Sequence, residues 1–469
     1  MTHVASAADE VARLWRDAAG PEPVPTDVDL PGDEPLLPSS FPVATALQAS
    51  VAACALAAAE WGRLRGGPVQ RVSVDGRAAV REASGWFRLD GRVPDLWDPL
   101  SGLYRCGGGG WVRVHANFAH HRESALRVLG LLDLPAGAAR DGVARALRGW
   151  RSLDFEQAAT EAGGVVAAVR SFAEWDAHPH APTVAAAPLV DLQRVGSAAP
   201  PALRPWSAAA DRPLRGVRVL DLTRILAGPV AGRTLAAHGA DVLMVNGPHL
   251  PNIEAIADVS RGKRSCHVDL REAEGRDRLR ELVRGADVFL QGYRPGALAA
   301  RGFGPDELQR INPSLVCVSL SAYGEHGPWG GRRGFDSLVQ SATGFNLAEA
   351  EAFGAAEPKA LPLQALDYGA GFLLAFGTIA ALLRRQREGG GMRVAVTLAR
   401  TGLWLRGLGR CSGFADVKRP SLDGWTESHD SGFGRLEAVP HAAQLSHTPP
   451  HWERPSMPPG THRPEWLPR

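Results

Sequence analysis

From Leu214 onward the chain alternates short apolar runs with helical segments, and no other feature restricts the fold as strongly. RGVRVLDL (215–222) is followed by LAGPVAGRTLAAHGA (226–240) and then by ADVLMV (240–245). RSCHVDL (264–270), EAEGRDRLRELVRG (272–285), ADVFLQ (286–291) and SLVCVSL (314–320) continue the series. Strand, helix and strand at this spacing form βαβ units, whose strands lie parallel in one sheet. Pro229 suits a first helical turn and Gly239 a helix stop. Ligands of such sheets sit at the carboxyl ends of the strands, in the loops. The expected class is therefore α/β, with a large parallel-sheet domain at about 214–405.

The 469 residues exceed one compact domain, and the 45% hydrophobic and 22% charged composition is that of a globular chain. Residues 1–40 read as an N-terminal arm: an amphipathic helix in the first twenty, then a Pro- and Asp-rich extended stretch. Residues 41–196 read as a smaller α/β segment, a helix and the strand RVSV followed by mixed elements such as WVRVHAN (111–117). SAAPPALRPWSAAADRP (197–213) reads as a linker, and 406–469 as a tail wrapping a surface. The net charge of +2 gives no basic field for nucleic acid or an anionic membrane. Val43–Trp61 and Ala365–Leu383 are long enough to span a bilayer. Gln48 in the first, and Asp367 with three glycines in the second, mark them instead as buried core helices. Five scattered cysteines show neither zinc spacing nor a disulfide framework, which suits a reducing cytosol.

Several loops can carry chemistry. Asp221–Pro229 is a small-residue turn entering a helix, where free N–H groups suit phosphate or thioester oxygen. It lacks the GxGxxG pattern, and Asn246 stands where a dinucleotide fold places an acid. Ser260–Ser265 holds three cations, among them Lys263, one of only three lysines in an arginine-dominated chain. A point-charge ammonium there suggests a phosphate contact, against a solvated turn as the plainer reading. Arg294, in the strand-end loop Gln291–Gly296, can meet a diphosphate or lie on the surface. Glu325 and His326 read as solvent-facing. Asp367 opens an almost purely apolar helix. It is either an N-cap or, with Gly369, Ala370 and Gly371 leaving room before it, a nucleophile. Asp336, beside Arg332 and Arg333, reads as a structural cap or ion-pair partner.

In order, LDLTRILAGP, GADVLMV, RGKRSCHVDLREAEGR, ADVFLQGYRPGAL, RINPSLVCVSLSAYGEHGP, GFDSLVQSATG and LDYGAGFLLAFGTIAALLRRQREGGG form a series that resembles the family III CoA-transferases, the CaiB/BaiF family. The resemblance covers about 215–400. It implies a Rossmann-like large domain, with the N-terminal α/β segment corresponding to the family's small domain. It implies Asp367 as the acyl-carrying acid and CoA contacts at Arg224, Leu226, Ala227, Lys263, Arg294 and Arg301. No metal or bound cofactor is implied; coenzyme A and acyl-CoA enter as substrates, with a small carboxylic acid as the other partner, in a cytoplasmic homodimer. The implied reaction passes through an aspartyl anhydride and an aspartyl-CoA thioester, with backbone N–H groups near Gly369–Gly371 stabilising the oxyanion.

The chain departs from the pattern at three places. Asn246 replaces an acid. Phe335 stands where related racemases carry a histidine. The small-domain counterpart precedes the aspartate helix instead of following it. ALQASVAACALAAAEW…RVSV also echoes ALDYGAGFLLAF…RVAV, and the two alignments of this echo set Thr45 or Gln48 opposite Asp367, neither an acid. A fused, rearranged double unit is the expectation. A 2-methylacyl-CoA racemase and a non-catalytic CoA-binding or partner subunit are the alternatives.

Overall fold

In the computed structural model, residues 4–20, 27–207 and 211–468 are described. Seven strands form the main sheet: β1 (Asp191–Val195), β2 (Arg218–Leu222), β3 (Asp241–Asn246), β4 (Arg264–His267), β5 (Val288–Gln291), β6 (Val316–Ser321) and β7 (Gly391–Thr397). Their order is β4-β3-β2-β5-β6-β7-β1. All neighbours are parallel except β1, which runs antiparallel to β7 with Val195 opposite Gly391. Parallel strands need helices on both faces, which explains their near-continuous apolar runs. The chain leaves β2 in one direction to build β3 and β4, and returns to its other side for β5. The loops after β2 and β5 therefore flank the crevice where such sheets bind ligands.

The helices that position the site are α1 (Ala7–Ala18), α2 (Val43–Leu64), α3 (Ala119–Val128), α4 (Ala227–Ala237), α5 (Ala273–Arg284), α6 (Asp336–Ala342) and α7 (Ala365–Glu388). On one face of the sheet, α7 packs against both α2 and α4. The alanines of α2 and the glycines of α7 let these axes approach closely. A Cβ on Gly371 would lie 2.6 Å from the Ala227 carbonyl oxygen, so that position requires glycine. The two helices of membrane-spanning length are thus buried against each other inside the protein. On the other face, Leu279, Leu282 and Val283 of α5 pack on Leu220, Leu243 and Phe289. A separate lobe has the antiparallel strands Gly102–Arg105, Trp111–Val114 and Val166–Ala168, with Tyr104, Val112, Phe155 and Val166 at its centre.

The boundaries read from the sequence are redrawn by this packing. The arm at 1–40 is docked through α1, whose Val11, Leu14 and Trp15 join the main core, while Glu10 accepts a hydrogen bond from Trp404 Nε1 at 2.7 Å. Part of the extended stretch, 21–26, lies outside the described residues. The 41–196 segment is not one unit: α2 and β1 belong to the main core and sheet, and the lobe around 100–168 stands apart.

Nor do residues 197–207 and 211–213 separate two bodies; 208–210 of the expected linker lie outside the described residues. The buried Arg65 guanidinium pairs with Asp211 at 2.7 Å and donates to the carbonyls of Arg204, Arg212 and Pro213. Its plane also lies 5.3 Å from the Trp206 ring. Pro/Ala composition signals irregular backbone, and one arginine with five donors pins that backbone down. The tail after 406 does more than wrap. Glu427–Ser431 and Gly434–Ala438 extend a sheet with Phe87–Leu89, and Ala443–Leu445 pairs with Val72–Val74.

Candidate active site

The turn after β2 is fixed from beneath. Asp221 accepts hydrogen bonds from the Thr223 N–H at 2.9 Å and the Thr223 hydroxyl at 2.5 Å, and pairs with Lys263 Nζ at 2.8 Å. Lys263 also donates to the Pro229 carbonyl at 2.9 Å. Both charged side chains are fully buried. A Cβ on Gly232 would sit 2.3 Å from Asp221 Oδ2, so glycine makes the room for this pair. Lys263 therefore does not reach a ligand, and the phosphate contact expected of it is corrected. Its charge is spent holding the loop, because a buried ammonium needs its carboxylate partner. Above this anchor the backbone turns through Ile225 at φ +78°, a conformation β-branched residues seldom adopt. Such strain persists only where the surroundings enforce it.

The loop opens on a cavity of about 520 Å³. Arg224, Leu226 and Ala227 line it after β2, Arg294 and Arg301 after β5, and Asp367 from the first turn of α7. The structure thus gathers every expected site residue except Lys263. Arg224 donates to the Pro251 carbonyl, and Arg301 to the Leu270 carbonyl at 3.2 Å. A second cavity of about 1060 Å³ shares Arg294, Arg332 and Arg333 with the first.

Asp367 is not the cap of its helix. Asp336, at the start of α6, takes that role: its Oδ2 accepts the N–H groups of Leu366 at 2.7 Å and Asp367 at 3.0 Å. Gln340 donates to its other oxygen. Neither Arg332 nor Arg333 pairs with Asp336. Arg332 meets Glu156 at 3.0 Å, and Arg333 donates to the Gly163 carbonyl at 3.0 Å. With capping delegated, the Asp367 carboxylate forms no hydrogen bond or ion pair among the described residues, although it is 8% exposed. Burial, then the charge of Asp336, pushes its pKa well above the ordinary carboxylate range. Asp336 is lifted to about 6 by burial, opposed by the N–H groups that it accepts. Of the two acids, the one without donors holds the proton.

α7 runs unbroken from Ala365, so the N–H groups of Gly369, Ala370 and Gly371 belong to its i→i−4 ladder. The oxyanion role expected of them is corrected on that ground.

The small lobe closes the cavity with residues the motif reading passed over. Phe118, His120 and His121 line it from the start of α3, and Phe335 from the large domain. His115 stacks on Phe335 with centroids 3.8 Å apart and planes 2° from parallel. The position that lacks a histidine in sequence is thus covered by imidazoles from 115–121. The adjacent His-His at a helix start was the available signal. Contact across more than 200 residues was not.

Residues 214–424 match the family model described as CoA-transferase family III. A probable fatty acyl-CoA transferase of Mycobacterium tuberculosis, Rv3272, is 38% identical over 192 residues, covering 38% of this chain and 48% of that protein. The succinate–glutarate CoA-transferase of Agrobacterium fabrum is 34% identical over 206 residues, covering 40% of this chain and 51% of its own. The orthorhombic crystal structure of Rv3272 aligns at 36% identity over 42% of this chain and 56% of that one, with a TM-score of 0.40. The chain spans about half the length of these curated relatives. Over residues 214–424 the chain is therefore similar to the family III CoA-transferases.

Proposed function

We propose that the protein transfers CoA between an acyl-CoA and a carboxylic acid, with Asp367 as the transient acyl carrier. One observation carries this reading. Among the described residues Asp367 is the single acid in the wall of a cavity rich in guanidinium groups, and a second acid relieves it of its capping duty. The minor, ionised form of Asp367 attacks the thioester carbonyl, forming the anhydride and releasing CoA thiolate. The thiolate then attacks the aspartyl carbonyl to give an aspartyl-CoA thioester and the free acid. An incoming carboxylate and a second return of thiolate complete the exchange. Arg224, Arg294 and Arg301 hold the anionic substrate, and binding energy from the remote CoA phosphates supports the step. The cavity sharing Arg294, Arg332 and Arg333 gives room for the length of CoA beyond the acyl group. Carboxylates are weak nucleophiles, so apolar walls such as Leu226 and Phe335 serve to keep water from the anhydride.

Incubation with an acyl-CoA followed by hydroxylamine and mass spectrometry tests the carrier. Modification at Asp367, with Asp367→Ala inactive, is the expected result; no modification and an active Asp367→Ala would refute it. Under the same reading the lobe at 102–168 is the counterpart of the family's small domain. The protein works as a cytosolic homodimer, which gel filtration at monomer mass would contradict.

A further inference from the structure

We propose that the pocket between the short helix Gly76–Glu82, residues 93–96 and residues 419–422 is a second binding site, which takes a free aliphatic carboxylic acid with its chain inside and its carboxylate at an arginine rim. The inference goes beyond the CoA-transferase reading and does not depend on it.

The pocket has a volume of about 370 Å³. Small-molecule sites run from roughly 300 to 1,000 Å³. It shares no lining residue with the Asp367 cavity. Three stretches far apart in sequence build its apolar wall: Trp86, Phe87, Val93 and Leu96 from the strand Phe87–Leu89 and its flanks, Leu363 from just before α7, and Leu422 from the tail. Gly85 lines it too, and a Cβ there would lie 2.3 Å from the Tyr368 hydroxyl, so the pocket backs on the first turn of α7. Val93 is 51% exposed at the rim. Trp425, 42% exposed, stacks on the Arg81 guanidinium at 4.0 Å. Large apolar side chains left in water beside a concave apolar wall mark a place for an apolar ligand.

The charge of the wall is one-sided. Arg81 and Arg419 line the pocket, and among the described residues no acid does. Arg81 donates to the Ser421 carbonyl at 2.7 Å, and Arg419 donates to the Pro362 carbonyl. Neither forms an ion pair with a carboxylate among the described residues. Asp75, the acid whose charge reaches Arg81, is already engaged as the cap of the short helix, accepting the Ala78 N–H at 3.0 Å. A guanidinium carries five donors, so both arginines keep N–H groups for a ligand. A two-fold contact with a second copy of the chain would set two arginine-rimmed hollows together with no acid in either lining. An alkyl carboxylate answers the apolar wall and the cations at once.

Titration calorimetry of the full-length protein with decanoate, decanol and acetate tests the site. A single decanoate is expected to bind, decanol on the order of ten-fold more weakly and acetate not measurably. Arg419→Gln lowers decanoate affinity several-fold and leaves decanol unchanged. Val93→Asp, at an exposed position, sets a negative charge at the mouth and abolishes decanoate binding. No decanoate binding, equal affinity for decanoate and decanol, or decanoate binding that neither substitution changes overturns the proposal. Light scattering across protein concentrations covers the other occupant: a dimer that Val93→Asp breaks and decanoate does not perturb assigns the pocket to a second copy, and overturns the proposal as well.

Discussion

Replacing Asp336 with Asn separates the two tasks that the structure gives this residue. As a cap, it accepts two backbone N–H groups at 2.7 and 3.0 Å, and an asparagine carbonyl oxygen can still accept them. Its other oxygen faces the Gln340 amide N–H, and Gln340 cannot turn over cheaply because its own oxygen accepts Leu361 N–H at 2.9 Å. The new side-chain amide therefore meets a donor, at a cost of about 1–3 kcal/mol. As a charge, Asp336 is held at about 6 rather than an ordinary 3.8, so ionising it in the folded protein costs roughly 3 kcal/mol relative to the unfolded chain. That penalty grows from about pH 4, where the unfolded chain ionises, and is complete above about pH 6; asparagine removes it. Chemical denaturation should find Asp336→Asn destabilised by about 1–3 kcal/mol at pH 4, and as stable as wild type or slightly more so at pH 8. Removal of the like charge should also move the pH profile of Asp367 adduct formation to lower pH, since Asp336 is a stated cause of its raised pKa. An equal loss of several kcal/mol at both pH values, or an unmoved profile, would refute the argument.

Three further outcomes follow from the geometry. Asp367→Asn abolishes the adduct yet stabilises the protein at alkaline pH: a raised carboxyl pKa favours the folded state only while the proton is on. The wild type therefore loses stability as pH rises from about 4, and the gap to the variant closes on acidification, measurable by thermal melts across pH. Lys263→Met leaves Asp221 charged and without a cation in the interior, costing about 3–5 kcal/mol, whereas Arg294→Ala leaves the melting temperature unchanged and weakens CoA binding. Arg65→Ala removes the clamp on 204–206 and 211–213, so limited proteolysis there becomes faster, by a larger factor than at the exposed turn around Gly424.

Much of the architecture is written locally. The β-branched runs at 218–222, 241–246, 288–291 and 316–321 become β2, β3, β5 and β6, because period and spacing act within one βαβ unit. Asp367 stands out for a related reason: a carboxylate in an apolar helix needs an explanation even before any contact is known. The loops carrying Arg224 and Arg294 are legible as strand ends, and a parallel sheet obliges strand ends to share one edge.

The tertiary structure decided what depends on partners distant in sequence. Lys263 and Asp221 are 42 residues apart, and only their burial together turns an apparent phosphate ligand into a loop anchor. Asp336 caps a helix that begins some thirty residues later, which no local capping rule can find. His121 reaches the cavity from a lobe whose own core is separate, and β1 joins the sheet from across the expected boundary. Periodicity reports which face of an element is apolar. Which acid stays free and which cation is consumed are settled by desolvation and pairing, and these exist only once the chain has closed on itself.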